Sequence, residues 1–232
     1  MANQLDLQEQ EQLDELKAFW KQYGNLITWV LTLALLAFAG WNGWNWWQRD
    51  QGAKAGTLFD ELDKAVQAGD AARSAQVFAD LKEHFPRTTF AQQGGLLAAK
   101  LQFDKGQADN ARAALTWVAD NASEDEYRSL ARLRLAALML DAKQYDDALK
   151  QLDGAKSSEF AALVSDRRGD VLLAQGKKDE ARTAYDIAYK GMDEKTDYRR
   201  LVEAKLTALG AAPAAADEAA AKASAAASGA SR

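Results

Sequence analysis

The stretch Gly169–Ala188, which reads GDVLLAQGKKDEARTAYDIA, decides the fold of this 232-residue chain. Gly169 is a small residue at a point where two helices would cross closely, and Gly176 marks a turn between them. Ala181 and Tyr185 then recur on one face of the second helix. Small residues permit close helix approach, and a large aromatic residue fills the groove between neighbouring helix pairs. The segment therefore predicts a helix pair that must stack against similar pairs.

Three weaker copies of the same pattern precede this segment. The turn position of the four copies falls at Gly69, Gly106, Lys143 and Gly176. The small residue of the second helix falls at Ser74, Ala111, Ala148 and Ala181, at spacings of 37, 37 and 33. The large apolar position falls at Phe78, Leu115, Leu152 and Tyr185. This spacing resembles that of the tetratricopeptide repeat, which is about 34 residues long.

Four degenerate repeats of this kind occupy residues 55–88, 92–125, 129–161 and 162–195. The segment Tyr198–Leu209 (YRRLVEAKLTAL) has one apolar face, which predicts a helix that caps the last repeat. The alternative is a generic helical bundle in which the 33–37-residue spacing is accidental.

An uncharged stretch precedes the repeats. Residues 22–48 carry no charge, and their central run Leu26–Ala39 (LITWVLTLALLAFA) is almost wholly apolar. About 20 such residues span a bilayer core roughly 30 Å thick. Four tryptophans crowd the far end of the stretch, where indole rings would form an interfacial belt: Trp41, Trp44, Trp46 and Trp47. The predicted fold is therefore all-α, with a single N-terminal transmembrane helix followed by an α-solenoid of about four helix pairs and a capping helix.

Two other interpretations of the apolar stretch are open. Ala37-Phe38-Ala39 resembles a signal-peptide cleavage site, although the acidic segment before the stretch is unlike the basic start of a signal peptide. A buried core helix is the third interpretation. Orientation is not settled by charge, since Lys17, Lys21 and the α-amino group on one side nearly balance Arg49 and Lys54 on the other, and the count only leans towards a cytoplasmic N-terminus.

The domain organisation follows from these segments. We expect an amphipathic tail at 1–24, the transmembrane helix at 25–47, the repeat domain at 48–209 and an Ala-rich disordered tail at 210–232. Apolar residues recur at helical spacing in the N-terminal tail: Leu5, Leu13, Leu16, Phe19, Trp20 and Tyr23. This tail is interpreted as a lead-in on the membrane surface or, alternatively, as a docking helix for a partner.

Composition and motifs favour a binding protein rather than an enzyme. The chain has no cysteine, a single histidine (His84), 27% charged residues and a net charge of −5. A soft-ligand metal site and thiol chemistry are thereby excluded, and a nucleic-acid partner is disfavoured. No glycine-rich phosphate-binding motif is present. We expect no catalytic residues, no cofactor, no metal and no small-molecule substrate.

Stacked helix pairs present a concave groove lined by the first helix of each pair. The positions that the repeat register places there are Phe59, Asp63, Leu96, Lys100, Phe103, Leu133, Leu140, Asp166 and Asp170. Some tetratricopeptide domains clamp a partner's C-terminal carboxylate with Lys, Arg and Asn, but Phe59 and Asp63 stand at the matching places here. The groove would suit an extended apolar peptide or a partner's helix; alternatively, these residues simply pack within the stack.

The whole layout resembles the YfgM-type ancillary subunits of the bacterial SecYEG translocon. The stretch EQLDELKAFWKQYGN at Glu11–Asn25 carries the resemblance most specifically, followed by the Trp-rich anchor, a short linker and degenerate repeats. The resemblance implies an inner-membrane protein with a cytoplasmic N-terminus and a periplasmic repeat domain. It also implies, as partners, the SecYEG channel, a PpiD-like periplasmic folding factor and newly translocated envelope proteins. The alternative function is a membrane-tethered regulatory or assembly scaffold of the envelope stress response.

Overall fold

Helix α1 runs from Leu7 to Gln67 in the computed structural model, which describes residues 7–211, with side chains from Glu11 onward. The chain divides into two compact units, residues 1–53 and 54–232. Leu5 of the N-terminal tail and residues 212–232 of the predicted Ala-rich tail lie outside the described residues.

The first unit contains the apolar part of α1. Within the described residues, α1 is the one helix long and apolar enough to cross a membrane, with a window of mean hydropathy 1.6. The two threonine hydroxyls of the apolar part donate to carbonyls of the same helix. Thr28 Oγ1 donates to the Gly24 carbonyl at 2.8 Å, and Thr32 Oγ1 donates to the Thr28 carbonyl at 2.7 Å. A helix satisfies its backbone groups within itself and here shows almost only apolar side chains outward, which suits a hydrocarbon environment.

The segment after Trp47 differs from expectation. The family resemblance implies a short linker between the anchor and the repeats, but residues 48–67 are helical as the last part of α1. The segment contains no proline, and glycines at 52 and 56 cost only about 1 kcal/mol each relative to alanine. Helix formation therefore continues through residues 48–54, which lie between the predicted transmembrane helix and the first predicted repeat.

The second unit, as described to Ala211, is built from helices and one 3₁₀ turn at Ser158–Phe160. After α1 the helices are α2 (Ala71–His84), α3 (Thr89–Asp104), α4 (Ala108–Asn121), α5 (Asp125–Asp141), α6 (Tyr145–Asp153), α7 (Ala161–Ala174), α8 (Lys178–Gly191) and α9 (Asp197–Ala208). The end of α1 pairs with α2, where Glu61 and Arg73 form an ion pair, and α3/α4, α5/α6 and α7/α8 form the next three pairs. The predicted all-α fold of about four helix pairs and a cap is thus confirmed.

All four predicted turn positions adopt left-handed backbone conformations. Three of them are glycines, with φ of 69° at Gly69, 75° at Gly106 and 82° at Gly176, whereas the third turn has Lys143 at φ 59°. The Lys143 N–H donates to the Leu140 carbonyl and the next N–H to the Met139 carbonyl, so the turn ends α5 as a glycine would. A side chain at positive φ is strained, and this turn therefore keeps a strain that glycine would relieve.

The close helix crossing predicted at Gly169 is present between α7 and α8. A Cβ placed on Gly169 would lie 2.5 Å from the Tyr185 ring, so the glycine is what lets this buried ring sit against the α7 backbone. Tyr185 belongs to a buried cluster shared by α7, α8 and α9, while two further clusters follow one another between α1 and α7. Each pair thus buries its apolar face against its neighbours, as a repeat stack requires.

Candidate interaction groove

A groove of about 390 Å³ lies between α3, α4 and α5, and we call it the α3–α5 groove. Its lining residues are Ala99, Lys100, Phe103, Asp104, Ala111, Leu115, Arg134, Ala137, Leu138 and Asp141. The first helices of the second and third pairs thus supply its walls. The second helix of the second pair contributes Ala111 and Leu115 to its floor, beside Ala99 from the first helix.

The floor of the groove is apolar. It is formed by the buried side chains of Ala99, Ala111 and Leu115. The two alanine side chains are short, so an open recess remains above them. Phe103 stands at the edge with 47% of its surface exposed, although it is a large aromatic residue. Apolar surface that remains open in a concave site is what a partner's apolar side chain would cover.

The charges of the groove differ in their environment. Lys100 Nζ lies 2.6 Å from Asp104 Oδ2, an exposed ion pair within α3. Asp141 is exposed at the end of α5, where water screens its charge. Arg134 is only partly exposed, so water screens its charge less than the charges of Lys100, Asp104 and Asp141.

Arg134 reaches from α5 to α3, where its Nη1 donates to the Leu96 carbonyl at 3.1 Å. Within residues 11–211, no carboxylate forms an ion pair with Arg134. Burial lowers the pKa of Arg134 from its ordinary value, although a guanidinium remains charged in proteins. The groove therefore holds a partly desolvated cation whose other N–H groups can still donate.

Only two of the nine residues predicted for the groove line it, namely Lys100 and Phe103. Leu96 and Leu133 are buried in the core, so their side chains do not face solvent. Leu140 is partly buried against the cluster between α5 and α7.

Phe59 and Asp63 lie near the end of α1. The Phe59 ring packs against Phe90, with 5.6 Å between ring centroids, and is partly buried against the core. Asp63 accepts a hydrogen bond of 2.7 Å from Gln67 Nε2 on its own helix. These contacts lie within the repeat stack, and neither residue belongs to the α3–α5 groove.

Asp166 and Asp170 take part in an internal network that joins α7, α8 and α9. Lys205 Nζ lies 2.8 and 2.9 Å from the two Asp166 oxygens and 2.7 Å from Asp170 Oδ1. The Tyr198 hydroxyl donates to Asp166 at 2.7 Å, and the Tyr185 hydroxyl donates to Asp170 at 2.8 Å. We call these five residues the α7–α9 network.

The α7–α9 network is largely withdrawn from water, since Asp166 is only 1% exposed. Burial raises the pKa of Tyr185 well above its ordinary value, and the hydrogen bond to Asp170 adds to the rise. Burial and then the hydrogen bond to Asp166 raise the pKa of Tyr198 in the same way. The two carboxylates therefore fasten the cap. Their oxygens accept hydrogen bonds from Tyr185 on α8 and from Tyr198 and Lys205 on α9, and Asp170 Oδ2 also accepts from Arg167 on α7.

On α5 the groove is lined by Arg134, Ala137, Leu138 and Asp141, whereas the repeat register had selected Leu133 and Leu140. One residue turns a helix by about 100°, so a register error of one position moves a side chain from the groove to the core. A partial signal was available, because Arg132 and Arg134 both interrupt the apolar run LARLRLAALML that begins at Leu130, although only Arg134 lines the groove. A charge at such a position indicates either a buried partner or a functional surface.

The predicted interfacial belt lies on α1 with its rings outward. Trp41, Trp44, Trp46 and Trp47 are all exposed, and the rings of Trp44 and Trp47 are 5.3 Å apart. Tryptophan favours the boundary between hydrocarbon and headgroups, where the ring is apolar and its N–H can still hydrogen-bond.

Comparison with known proteins identifies the family. A family model described as a tetratricopeptide repeat-like domain matches residues 17–211. The chain is 32% identical over 204 residues to the ancillary SecYEG translocon subunit of Neisseria gonorrhoeae, covering 88% of this chain and 98% of that protein. Proteins of the same name from Escherichia coli and Haemophilus influenzae are 31% and 28% identical, over 78% of this chain and 87% and 89% of theirs. The chain therefore belongs to the YfgM family of ancillary SecYEG translocon subunits.

Proposed function

We propose that this protein is a single-pass inner-membrane subunit that binds the SecYEG translocon and PpiD-like periplasmic folding factors and assists the handover of newly translocated envelope proteins. The observation that carries the proposal is similarity along 98% of a relative named an ancillary SecYEG translocon subunit. The matched family domain begins at residue 17 and so includes the apolar part of α1 as well as the repeats. The family match therefore covers the anchor and the repeats in one continuous alignment.

The proposed topology has residues 1–24 in the cytoplasm, residues 25–47 in the bilayer and the repeat domain at 48–209 in the periplasm. The exposed apolar side chains of α1 and the outward tryptophans support the membrane placement. The periplasmic placement of the repeats rests on the family alone, since the flanking lysines and arginines are balanced.

Topology can be tested with introduced cysteines, because the chain has no cysteine of its own. Gln12→Cys and Lys150→Cys place single thiols at exposed positions on the two sides of α1's apolar part. A membrane-impermeant maleimide added to intact spheroplasts should label position 150 and leave position 12 unlabelled until the cells are lysed. The reverse pattern would refute the proposed orientation.

The proposed activity is binding without catalysis. The α3–α5 groove offers an apolar floor, an exposed aromatic ring and a few charges, which is the lining of a polypeptide-binding surface. The α7–α9 network, which holds two carboxylates together, is engaged in fastening the cap. The repeat domain therefore supports the role of a non-catalytic adaptor.

Client handling can be tested by photo-crosslinking in intact membranes. A photoreactive phenylalanine analogue at Phe103, which edges the groove, should crosslink to nascent secretory chains and to SecYEG-associated folding factors. The matched control is the same analogue at Ile187, an exposed apolar position on α8 outside the groove. Equal client crosslinking from both positions, or failure of SecYEG to co-purify with the native chain, would refute the proposal.

A second candidate function is a regulatory or assembly scaffold, in which the N-terminal tail binds a cytosolic factor. The exposed side chains of Phe19, Trp20 and Tyr23 on α1 favour it, since they form an apolar surface before the predicted span. Deletion of residues 2–20 distinguishes the two functions. If SecYEG association persists while a cytosolic partner is lost, the tail is regulatory.

A further inference from the structure

The α3–α5 groove combines an apolar recess with a partly buried cation. Its floor is made of buried alanine and leucine side chains, and its volume of about 390 Å³ lies within the range of roughly 300–1,000 Å³ typical of ligand sites. Arg134 lies in the same lining as this floor. An apolar recess and a cation therefore occur together.

The other charges of the groove do not neutralise Arg134. Asp104 is engaged with Lys100 at 2.6 Å within α3, and Asp141 lies in water at the exposed end of α5. The two carboxylates equal the two cations of the lining in number. Neither carboxylate, however, forms an ion pair with Arg134 within the described part of the chain. The Leu96 carbonyl accepts only one of the five guanidinium N–H groups.

We infer that the α3–α5 groove binds a polypeptide segment in which a large apolar side chain neighbours an aspartate or glutamate. The apolar side chain occupies the recess above Leu115, and the carboxylate accepts hydrogen bonds from Arg134. This inference rests on the proposed function and deepens it by naming the kind of segment that is recognised. A carboxylate pairs with a guanidinium through two parallel hydrogen bonds, which restores the solvation that burial has removed.

The carboxylate is that of a side chain rather than of a chain end. A C-terminus brings a terminal backbone amide beside its carboxylate, and several polar side chains are needed to hold both. The lining contains no serine, threonine, asparagine or glutamine, and Lys100 is already paired. One guanidinium beside an apolar recess matches a single acidic side chain within a continuing chain.

The experiment measures peptide binding to the full-length chain in nanodiscs by fluorescence anisotropy. The probe is a labelled peptide, blocked at both ends, with one glutamate between leucines. The comparison peptides are its glutamine isostere and a glutamine peptide with a free C-terminal carboxylate. We expect the glutamate peptide to bind at least tenfold more tightly than either of the others.

Two variants locate the effect. Arg134→Gln should reduce the preference for glutamate to less than twofold, whereas Arg128→Gln should retain it, because Arg128 lies on the same helix but pairs with Asp125 at 2.5 Å. Ala137→Phe fills the recess and should weaken binding of the glutamate and glutamine peptides alike. Far-UV circular dichroism and urea midpoints would show whether each variant is folded as the native chain is.

Three outcomes would overturn the inference: equal affinity for the glutamate and glutamine peptides, a retained glutamate preference in folded Arg134→Gln, or tighter binding of the peptide with the free C-terminus. Co-purification of SecYEG with the same variants separates this inference from the proposed function. If the native chain shows no glutamate preference but still co-purifies with SecYEG, only the inference fails. If the native chain does not co-purify with SecYEG, the proposed function fails as well.

Discussion

Replacing Lys205 with methionine should detach the α9 cap from the repeat stack. Lys205 contacts both Asp166 and Asp170 within 2.9 Å, whereas Arg167 pairs with Asp170 at 3.3 Å and forms no ion pair with Asp166 in the described part of the chain. Methionine keeps a similar length and apolar stem but carries no charge. Asp166, only 1% exposed, would then be a buried carboxylate with the Tyr198 hydroxyl as its remaining donor.

The magnitude follows from how deeply the pair is buried. Removal of one partner from a fully buried ion pair costs about 3–5 kcal/mol, since an uncompensated charge is left behind. Lys205 is 22% exposed, and Tyr198 continues to donate to Asp166. We therefore expect a loss at the low end of that range, about 3 kcal/mol.

Urea unfolding of the full-length chain in detergent micelles, followed by far-UV circular dichroism and amide hydrogen exchange, measures this loss. Because repeat arrays open locally, exchange protection should fall first in α9 and next in α8. The control is Lys190→Met, which breaks an exposed ion pair with Asp186 on α8 and should cost less than about 1 kcal/mol.

A double variant tests whether the unpaired charge of Asp166 causes the loss of stability. Adding Asp166→Asn to Lys205→Met removes the buried charge and should restore a substantial part of the lost stability, because an amide needs no counter-ion. If Lys205→Met loses no more stability than Lys190→Met, the network does not fasten the cap. If the double variant is less stable than Lys205→Met alone, burial of an unpaired charge is not the reason for the loss.

Three further predictions concern single positions. Gly169→Ala should destabilise the domain by about 1–3 kcal/mol in urea unfolding, since the new Cβ would lie 2.5 Å from the Tyr185 ring; an unchanged midpoint would refute the close crossing. Lys143→Gly should stabilise the domain by about 0.5–1 kcal/mol because its φ is 59°, whereas Gly176→Ala at φ 82° should destabilise it by a similar amount; two changes of the same sign would contradict this. The raised pKa of Tyr185 gives a stabilisation that is fully present below pH 10, the ordinary tyrosine value, and is lost as the pH rises further, at about 1.4 kcal/mol per pH unit. Because the pKa of Tyr198 is raised as well, Tyr185→Phe should reduce, and not abolish, the alkaline slope in urea titrations between pH 9 and 11; an unchanged slope would contradict the assignment.

The sequence predicted the helix pairs well because their signals are local. The four turn positions at Gly69, Gly106, Lys143 and Gly176 all adopt positive φ, and the first three of them were assigned from a template fitted to the fourth. A turn depends on a few neighbouring residues, and helical periodicity can be recognised within a single segment. Of the predicted groove positions, Lys100 and Phe103 line the α3–α5 groove, whereas Leu96 and Leu133 are buried; which residues bind a partner stays a prediction.

By itself the sequence determined an uncharged apolar helix followed by repeated helix pairs, because hydrophobic periodicity, turn residues and the length of an apolar run are written in consecutive residues. The tertiary structure alone decided which face of each helix is open, since a rotation of about 100° per residue separates Leu133 in the core from Arg134 in the groove. It also decided that Asp166 and Lys205 meet, 39 residues apart along the chain, and so that two carboxylates expected in a binding groove fasten the cap instead. Side-chain partners depend on how whole helices pack, and no local pattern specifies that.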